Sequence, residues 1–318
     1  MTNDKMLEMY RVMLLTRRFE EKLADLCQIE GKVPGMMILC TGQEAVAAGA
    51  CLALEQGDVI IANHRSHGHL IAKGADPKLI MAEIFGKRTG YNKGKSGTLH
   101  IAVPEVDAHC TTTIVGGGIP IAVGTAFAHQ YNNSRKVTVC FFGDGAADEG
   151  SFHESLNLAA LWSLPVIFVC ENNVYAGAQR MEEHTRIKDI AVRSVAYNVP
   201  GETVDGNDAT AVYEAVARAR ERCLNGEGPV LIEAKTYRWR GHGEIDKQAY
   251  QPRDEISAWM QRCPVNKLEQ DILQMGLLSQ SAFVDMERDI GNIVEQAVRF
   301  AEESPWPDPG EALQDVYA

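Results

Sequence analysis

Two residues separated by 28 others carry the most specific chemistry in this chain: Asp144, inside Gly143-Asp144-Gly145, and Asn173, closing Glu171-Asn172-Asn173. A carboxylate and a side-chain amide oxygen are hard ligands of the kind Mg²⁺ or Ca²⁺ takes, and Mg²⁺ normally completes its octahedron with waters and substrate phosphates. Gly143 and Gly145 lack a Cβ and so let the backbone approach a phosphate closely. Together these residues suit a metal-diphosphate. Taken singly, Asp144 reads as a turn former and Asn172 as a helix or turn cap. What favours a site is their joint occurrence on a particular set of elements.

Those elements are a strand, a helix and a strand. Val137 to Phe142 is a short apolar run that stops at the Gly-Asp-Gly turn, and Ser151 to Trp162 places Phe152, Leu156, Ala159, Ala160 and Leu161 at helical spacing. Pro165 to Cys170 is a second apolar strand. A βαβ unit lays its strands side by side and parallel, with a right-handed crossover. Ligands of open α/β sheets bind beyond the carboxyl ends of the strands, where Asp144 and Asn173 would meet.

A third strand, Val59 to Ala62, ends in Asn63-His64-Arg65-Ser66-His67-Gly68-His69. An arginine among histidines can clamp an anion through the planar guanidinium fork, and the same residues read equally well as a solvated polar loop. Thr113-Ile-Val-Gly-Gly-Gly-Ile-Pro precedes an apolar helix running through Phe127 and suits a turn that packs this helix on the sheet. Neither GGGIPI nor GDGAAD completes GxGxxG. GYNKGKS at 90–96 sets its first glycine one residue too near GKS and follows an apparent helix, which excludes an NTPase P-loop.

The Gly-Asp-Gly turn and the Asn-Asn pair at this spacing resemble the thiamine-diphosphate-binding motif. HRSHGHLIAKG at 64–74, KLIMAEIFGKRTGYNKGKSGTLHI at 78–101 and the ending RFAEESPWPDPGEALQDVYA at 299–318 extend the likeness over nearly the whole chain. They are similar to α-subunits of thiamine-diphosphate-dependent E1 components, above all the acetoin dehydrogenase type within the pyruvate and branched-chain 2-oxo acid dehydrogenase family.

The resemblance implies an α/β thiamine-diphosphate-binding fold, a parallel sheet flanked by helices with further helices at the carboxyl terminus. It implies His64 and Arg65 on the diphosphate, Thr113 and Val115 at the aminopyrimidine, and Gly145 and Ala146 also in contact with the cofactor. Asp144, Asn173 and the backbone carbonyl of Tyr175 would hold Mg²⁺. His242 would order an active-site loop, contact cofactor and assist proton transfer, with His67 a further catalytic candidate. The implied assembly is an α₂β₂ heterotetramer whose β-subunit supplies the activating glutamate, and which acts on a small oxo substrate and passes an acyl group to lipoyl-E2.

Three positions depart from that family. Thr113 replaces glycine, Gly243 stands where mitochondrial relatives carry a regulatory phosphoserine, and Ile38 stands where members commonly carry an active-site histidine. Isoleucine neither donates nor accepts a proton, so a thiamine-dependent carboligase that delivers its carbanion to an aldehyde or ketone is a second reading. A non-catalytic partner of a β-subunit is a third, against which the intact Asp144 and Asn173 stand.

Composition bounds the rest. With 318 residues, 45% of them hydrophobic, a sizeable core is expected. A net charge of −12 argues against a nucleic-acid partner. Eight cysteines without CxxC spacing indicate buried thiols in a reducing cytosol. The amino terminus intersperses Asp4, Glu8 and Arg11 in its apolar pattern, as an amphipathic helix does and a signal peptide does not. Helices are expected over 4–29, 42–55, 208–224, 267–274 and 281–303, a strand over 229–234, a loop over 32–42, and a loop or short helix over 182–194. No linker or repeat divides the chain, which reads as one domain over 1–318.

Overall fold

A computed structural model describes residues 1–33 and 35–314. Pro34, within the loop expected over 32–42, and the last four residues of the acetoin-type ending lie outside the described residues.

Six strands form one parallel sheet: β1 (Val59–Asn63), β2 (Ala108–Thr112), β3 (Thr138–Gly143), β4 (Val166–Asn172), β7 (Gly201–Asp205) and β8 (Val230–Lys235), ordered β2-β1-β3-β4-β8-β7. A two-residue hairpin, β5 (Tyr175–Ala176) and β6 (Gln179–Arg180), stands apart. The helices are α1 (Asn3–Gln28), α2 (Glu44–Leu52), α3 (His67–Ala72), α4 (Pro77–Ile84), α5 (Gly118–Tyr131), α6 (Gly150–Leu161), α7 (Met181–His184), α8 (Ala209–Leu224), α9 (Arg253–Met260), α10 (Pro264–Gln274) and α11 (Gln280–Glu303).

The central strands are apolar on both faces because each face meets a layer of helices. Ile60, Val139, Phe141, Ile167 and Val169 enter one core beside α1, α2, α4, α8 and α11. Their neighbours Ile61, Cys140, Phe142, Phe168 and Cys170 enter a second, beside α5 and α6. This alternation is the period of two of a β-strand, filled from both sides. A third core joins the start of α1 to α10 and α11, docking the carboxyl-terminal helices.

The expected βαβ unit is present as β3-α6-β4, with Thr138 opposite Val166 and Gly143 opposite Glu171 in a parallel ladder. The chain leaves β1 to one side for β2 and returns to the other side for β3, so the switch in strand order falls between β1 and β3. That is the crevice where open α/β sheets bind ligands.

Some bounds differ from expectation. α2 begins at Glu44 rather than Gly42, whose φ of +99° is not helical. His67 and His69 lie in the buried α3 rather than in a polar loop. The edge strands β2 and β7 carry polar residues in place of a long apolar run, and they have little strand signal in sequence.

Candidate active site

A cavity of about 380 Å³ opens over the carboxyl ends of β1, β3 and β4. Asp144 leaves β3 in a 3₁₀ turn, is 2% exposed, and has an Oδ2 with no hydrogen-bond partner. Asn173 lines the same cavity; its Nδ2 donates to Gln43 Oε1 at 3.1 Å, and its Oδ1 accepts only a long contact from the Tyr175 N–H, 3.4 Å. Its neighbour is spoken for: Asn172 Nδ2 donates to the buried Glu233 carboxylate at 2.7 Å. Val174, between Asn173 and Tyr175, has φ +77°, a left-handed conformation unfavourable for a β-branched residue. Such strain is maintained only where surrounding contacts enforce it, and here both Asn173 and Tyr175 line the cavity.

The other wall is cationic. Arg65 is 4% exposed and donates Nη1 to Leu39 O at 2.6 Å and Nη2 to His242 O at 3.0 Å. Arg238 donates to Tyr250 Oη at 2.8 Å and to the carbonyl of Gly177. Among the described residues neither guanidinium has a carboxylate within 4 Å. Burial, then the neighbouring Arg238, pushes Arg65 down to about 10. Burial also lowers Arg238. Burial, then Arg65 and His242, pushes His64 down to about 3, and burial with both arginines lowers His242. The two imidazoles lie 5.7 Å apart, and His64 Nε2 has no partner. Two buried guanidiniums this poorly compensated, beside two imidazoles held toward their neutral form, are complementary to a multiply charged anion.

Most residues singled out from sequence converge here: His64, Arg65, Val115, Asp144, Gly145, Ala146, Asn173, Tyr175 and His242 all line the cavity. His67 does not. It is fully buried, with Nδ1 2.9 Å from Glu20 Oε1 and Nε2 2.7 Å from Thr98 Oγ1, which ties α1 to α3 and removes it from contact with the cavity. Thr113 also lies outside the lining, its Oγ1 3.4 Å from His100 Nε2 at the surface, while Thr112, Ile114 and Val115 do line it. Gly145 has a packing requirement besides: an added Cβ would meet Ala176 Cβ at 2.6 Å, whereas one on Gly143 would meet nothing within 4 Å. Gly145 is needed for packing, and Gly143 is the open position.

Two residues of the lining carried no clear sequence signal. Arg238 is four residues before His242, a spacing with no meaning in an irregular loop. Glu171 precedes the Asn pair and accepts from Asn63 Nδ2 at 2.6 Å, while Asn63 Oδ1 accepts from the Arg65 N–H at 2.8 Å, so it fixes the turn that carries Arg65. Outside the cavity, the exclusion of a P-loop at 90–96 has a structural counterpart. The buried Glu83 carboxylate accepts the N–H groups of Asn92, Gly94 and Ser96 at 2.8–2.9 Å, occupying donors that a phosphate would otherwise need.

The family described as dehydrogenase E1 component matches residues 10–310. The α-subunit of acetoin:2,6-dichlorophenolindophenol oxidoreductase from Bacillus subtilis (strain 168) is 46% identical over 318 residues, covering 100% of this chain and 95% of the relative. The pyruvate dehydrogenase E1 component α-subunits of Rhizobium meliloti (strain 1021) and Rickettsia felis are 38% and 34% identical, covering 98% and 99% of this chain and 89% and 97% of theirs. With a family match over nearly the whole chain and a cavity at the switch point of a parallel sheet, this protein belongs to the dehydrogenase E1 component family, whose members are thiamine-diphosphate-dependent.

Proposed function

We propose that this chain is the α-subunit of an E1 component acting on acetoin or a 2-oxo acid, and that it holds the magnesium-diphosphate half of a site completed by a β-subunit. The observation that carries this reading is the convergence, in one cavity, of the buried Asp144 carboxylate and the Asn173 amide with two guanidiniums, Arg65 and Arg238, that have no carboxylate within 4 Å among the described residues. A divalent cation is a fitting partner for the carboxylate and the Asn173 amide, and a diphosphate for Arg65, His64 and Arg238. Thiamine diphosphate, when bound, supplies a carbon nucleophile and an electron sink. The chain's own part is to anchor the charged end and keep the His242 loop against it. Burial and the two arginines lower His242, whose Nδ1 faces Arg238 Nη1 at 3.3 Å and Arg65 Nη2 at 3.5 Å, so the uncharged ring presents its other nitrogen as an N–H donor rather than as a fixed charge.

An exposed aromatic face supports a protein partner. Phe127 and Tyr131 of α5 stack at 6.2 Å, and Phe127 lies 5.5 Å from Trp162 at the end of α6. Leu161, 72% exposed, extends the face, which fits a β-subunit in an α₂β₂ assembly. Among the described residues no helix is long and apolar enough to cross a membrane, and the eight unpaired thiols fit a cytosolic location.

Transfer of the acyl group to lipoyl-E2 is the reading favoured by the extent of similarity to dehydrogenase components. Carboligation to an aldehyde or ketone is second, favoured by Ile38, which is 4% exposed and offers no proton donor. The test has two arms. Calorimetry of the α–β complex with Mg²⁺ and thiamine diphosphate should show Asp144→Ala losing more than about 100-fold in affinity, beyond the ~10–100-fold typical of outer-sphere partners. Undiminished affinity would overturn the metal assignment. Efficient acylation of a lipoyl domain by the unmodified complex excludes the carboligase, and rapid carboligation without acylation excludes the dehydrogenase.

A further inference from the structure

The Asp144 oxygen that lacks a hydrogen bond faces a second orphan atom. After the β5–β6 hairpin, α7 forms a single turn anchored by Met181, whose N–H donates to Val174 O at 2.8 Å. His184, its last residue, reaches back over the 3₁₀ turn of residues 144–148. Its Nδ1 lies 2.5 Å from Asp148 Oδ2, and the other Asp148 oxygen lies 2.5 Å from Arg193 Nη2. Arg193 is itself fixed by Thr185 Oγ1 at 2.8 Å and by the Ala147 carbonyl. This clamp aims His184 Nε2 at Asp144 Oδ2 across 3.6 Å, and both atoms are buried without any hydrogen-bond partner.

Residues drawn from three places in sequence thus converge on the back of one carboxylate. We infer that His184 is a positioning residue: clamped by Asp148 and Arg193, it holds Oδ2 of Asp144 and leaves the remaining carboxylate oxygen for the cation. The inference rests on the proposed role of Asp144 as metal ligand. Ligating carboxylates that are held by an outer partner lose rotational freedom before the metal arrives, and loss of such a partner typically weakens metal binding by ~10–100-fold. The ring does not line the cavity, so it is not assigned contact with substrate or cofactor.

The test is Mn²⁺ binding, followed by electron paramagnetic resonance of the full chain with its β-subunit and thiamine diphosphate. His184→Leu should raise the Mn²⁺ dissociation constant by roughly 10-fold or more. His184→Gln, whose amide offers an N–H toward Asp144 in place of the ring nitrogen, should recover most of that loss. Asp148→Asn, which keeps the shape but weakens the clamp, should fall between. The metal-free melting temperatures of the Gln and Asn variants should stay near that of the unmodified protein, which separates positioning from a general structural role. If Asp144→Ala abolishes Mn²⁺ binding while the His184 and Asp148 variants all bind like the parent, the inference fails and the metal assignment survives. If Asp144→Ala binds Mn²⁺ normally, both fail.

Discussion

His64 shows how the cavity's chemistry enters stability. In the unfolded chain its imidazole takes a proton near pH 6.5, whereas in the fold burial and the nearby guanidinium of Arg65 hold it neutral down to about 3. Between these values the unfolded state binds more protons, so the group's contribution favours the native state more as pH rises and less as pH falls below 6.5. The slope is at most about 1.4 kcal/mol per pH unit for one proton. His242, also lowered, acts in the same direction. Denaturant titrations of the chain free of metal and cofactor should therefore show stability declining from pH 7 to pH 5, and His64→Gln should flatten the decline. An equally steep profile in the variant would locate the pH sensitivity elsewhere.

At the level of elements, the site depends on close contacts between segments far apart in sequence. The 3₁₀ turn after β3 meets the β5–β6 hairpin at Gly145 and Ala176, and a Cβ on Gly145 would lie 2.6 Å from that of Ala176. Gly145→Ala should cost about 1–3 kcal/mol by overpacking. Ala176→Gly in the same chain should restore much of it, so a double-mutant cycle by denaturant unfolding should show a coupling between the two. Beneath the His242 loop, α1 and α2 are joined by Arg17 and Glu44 in a two-point ion pair of 2.6 and 2.9 Å, with the guanidinium 4.1 Å from the Trp239 ring centroid. Both side chains are buried, so Glu44→Ala leaves an uncompensated cation and should cost about 3–5 kcal/mol. A loss below 1 kcal/mol would show that water reaches Arg17 and compensates it.

For the whole molecule, the helical layer of α5 and α6 leaves a cluster of aromatic side chains uncovered. α5 and α6 bury one side against the sheet and leave Phe127, Tyr131, Leu161 and Trp162 exposed. Replacing Phe127 and Trp162 together by Glu should leave the isolated chain folded with a modest fall in melting temperature, because both rings are about half exposed and pack mainly on one another at the surface. It should abolish co-sedimentation with the β-subunit. Unaltered assembly by analytical ultracentrifugation would place the β-subunit on another face.

The local pattern of residues sufficed for the central strands, the β3-α6-β4 unit and the placing of Asp144 and Asn173 at the lining of one cavity. A buried parallel strand is apolar throughout, and a βαβ crossover brings its strand ends together whatever else surrounds them. Edge strands β2 and β7 escaped because pairing on one side only leaves them no need of an apolar run. His64 and His67 illustrate the larger limit. They are three positions apart in a stretch of similar polarity, yet one lines the cavity and the other is enclosed between Glu20 and Thr98. Arg238 and the His184 clamp were equally hidden, since their partners come from distant loops. Which atoms of a polar segment remain without partners, and so have affinity left for a metal or a phosphate, depends on every element packed around them. That is decided only by the tertiary structure.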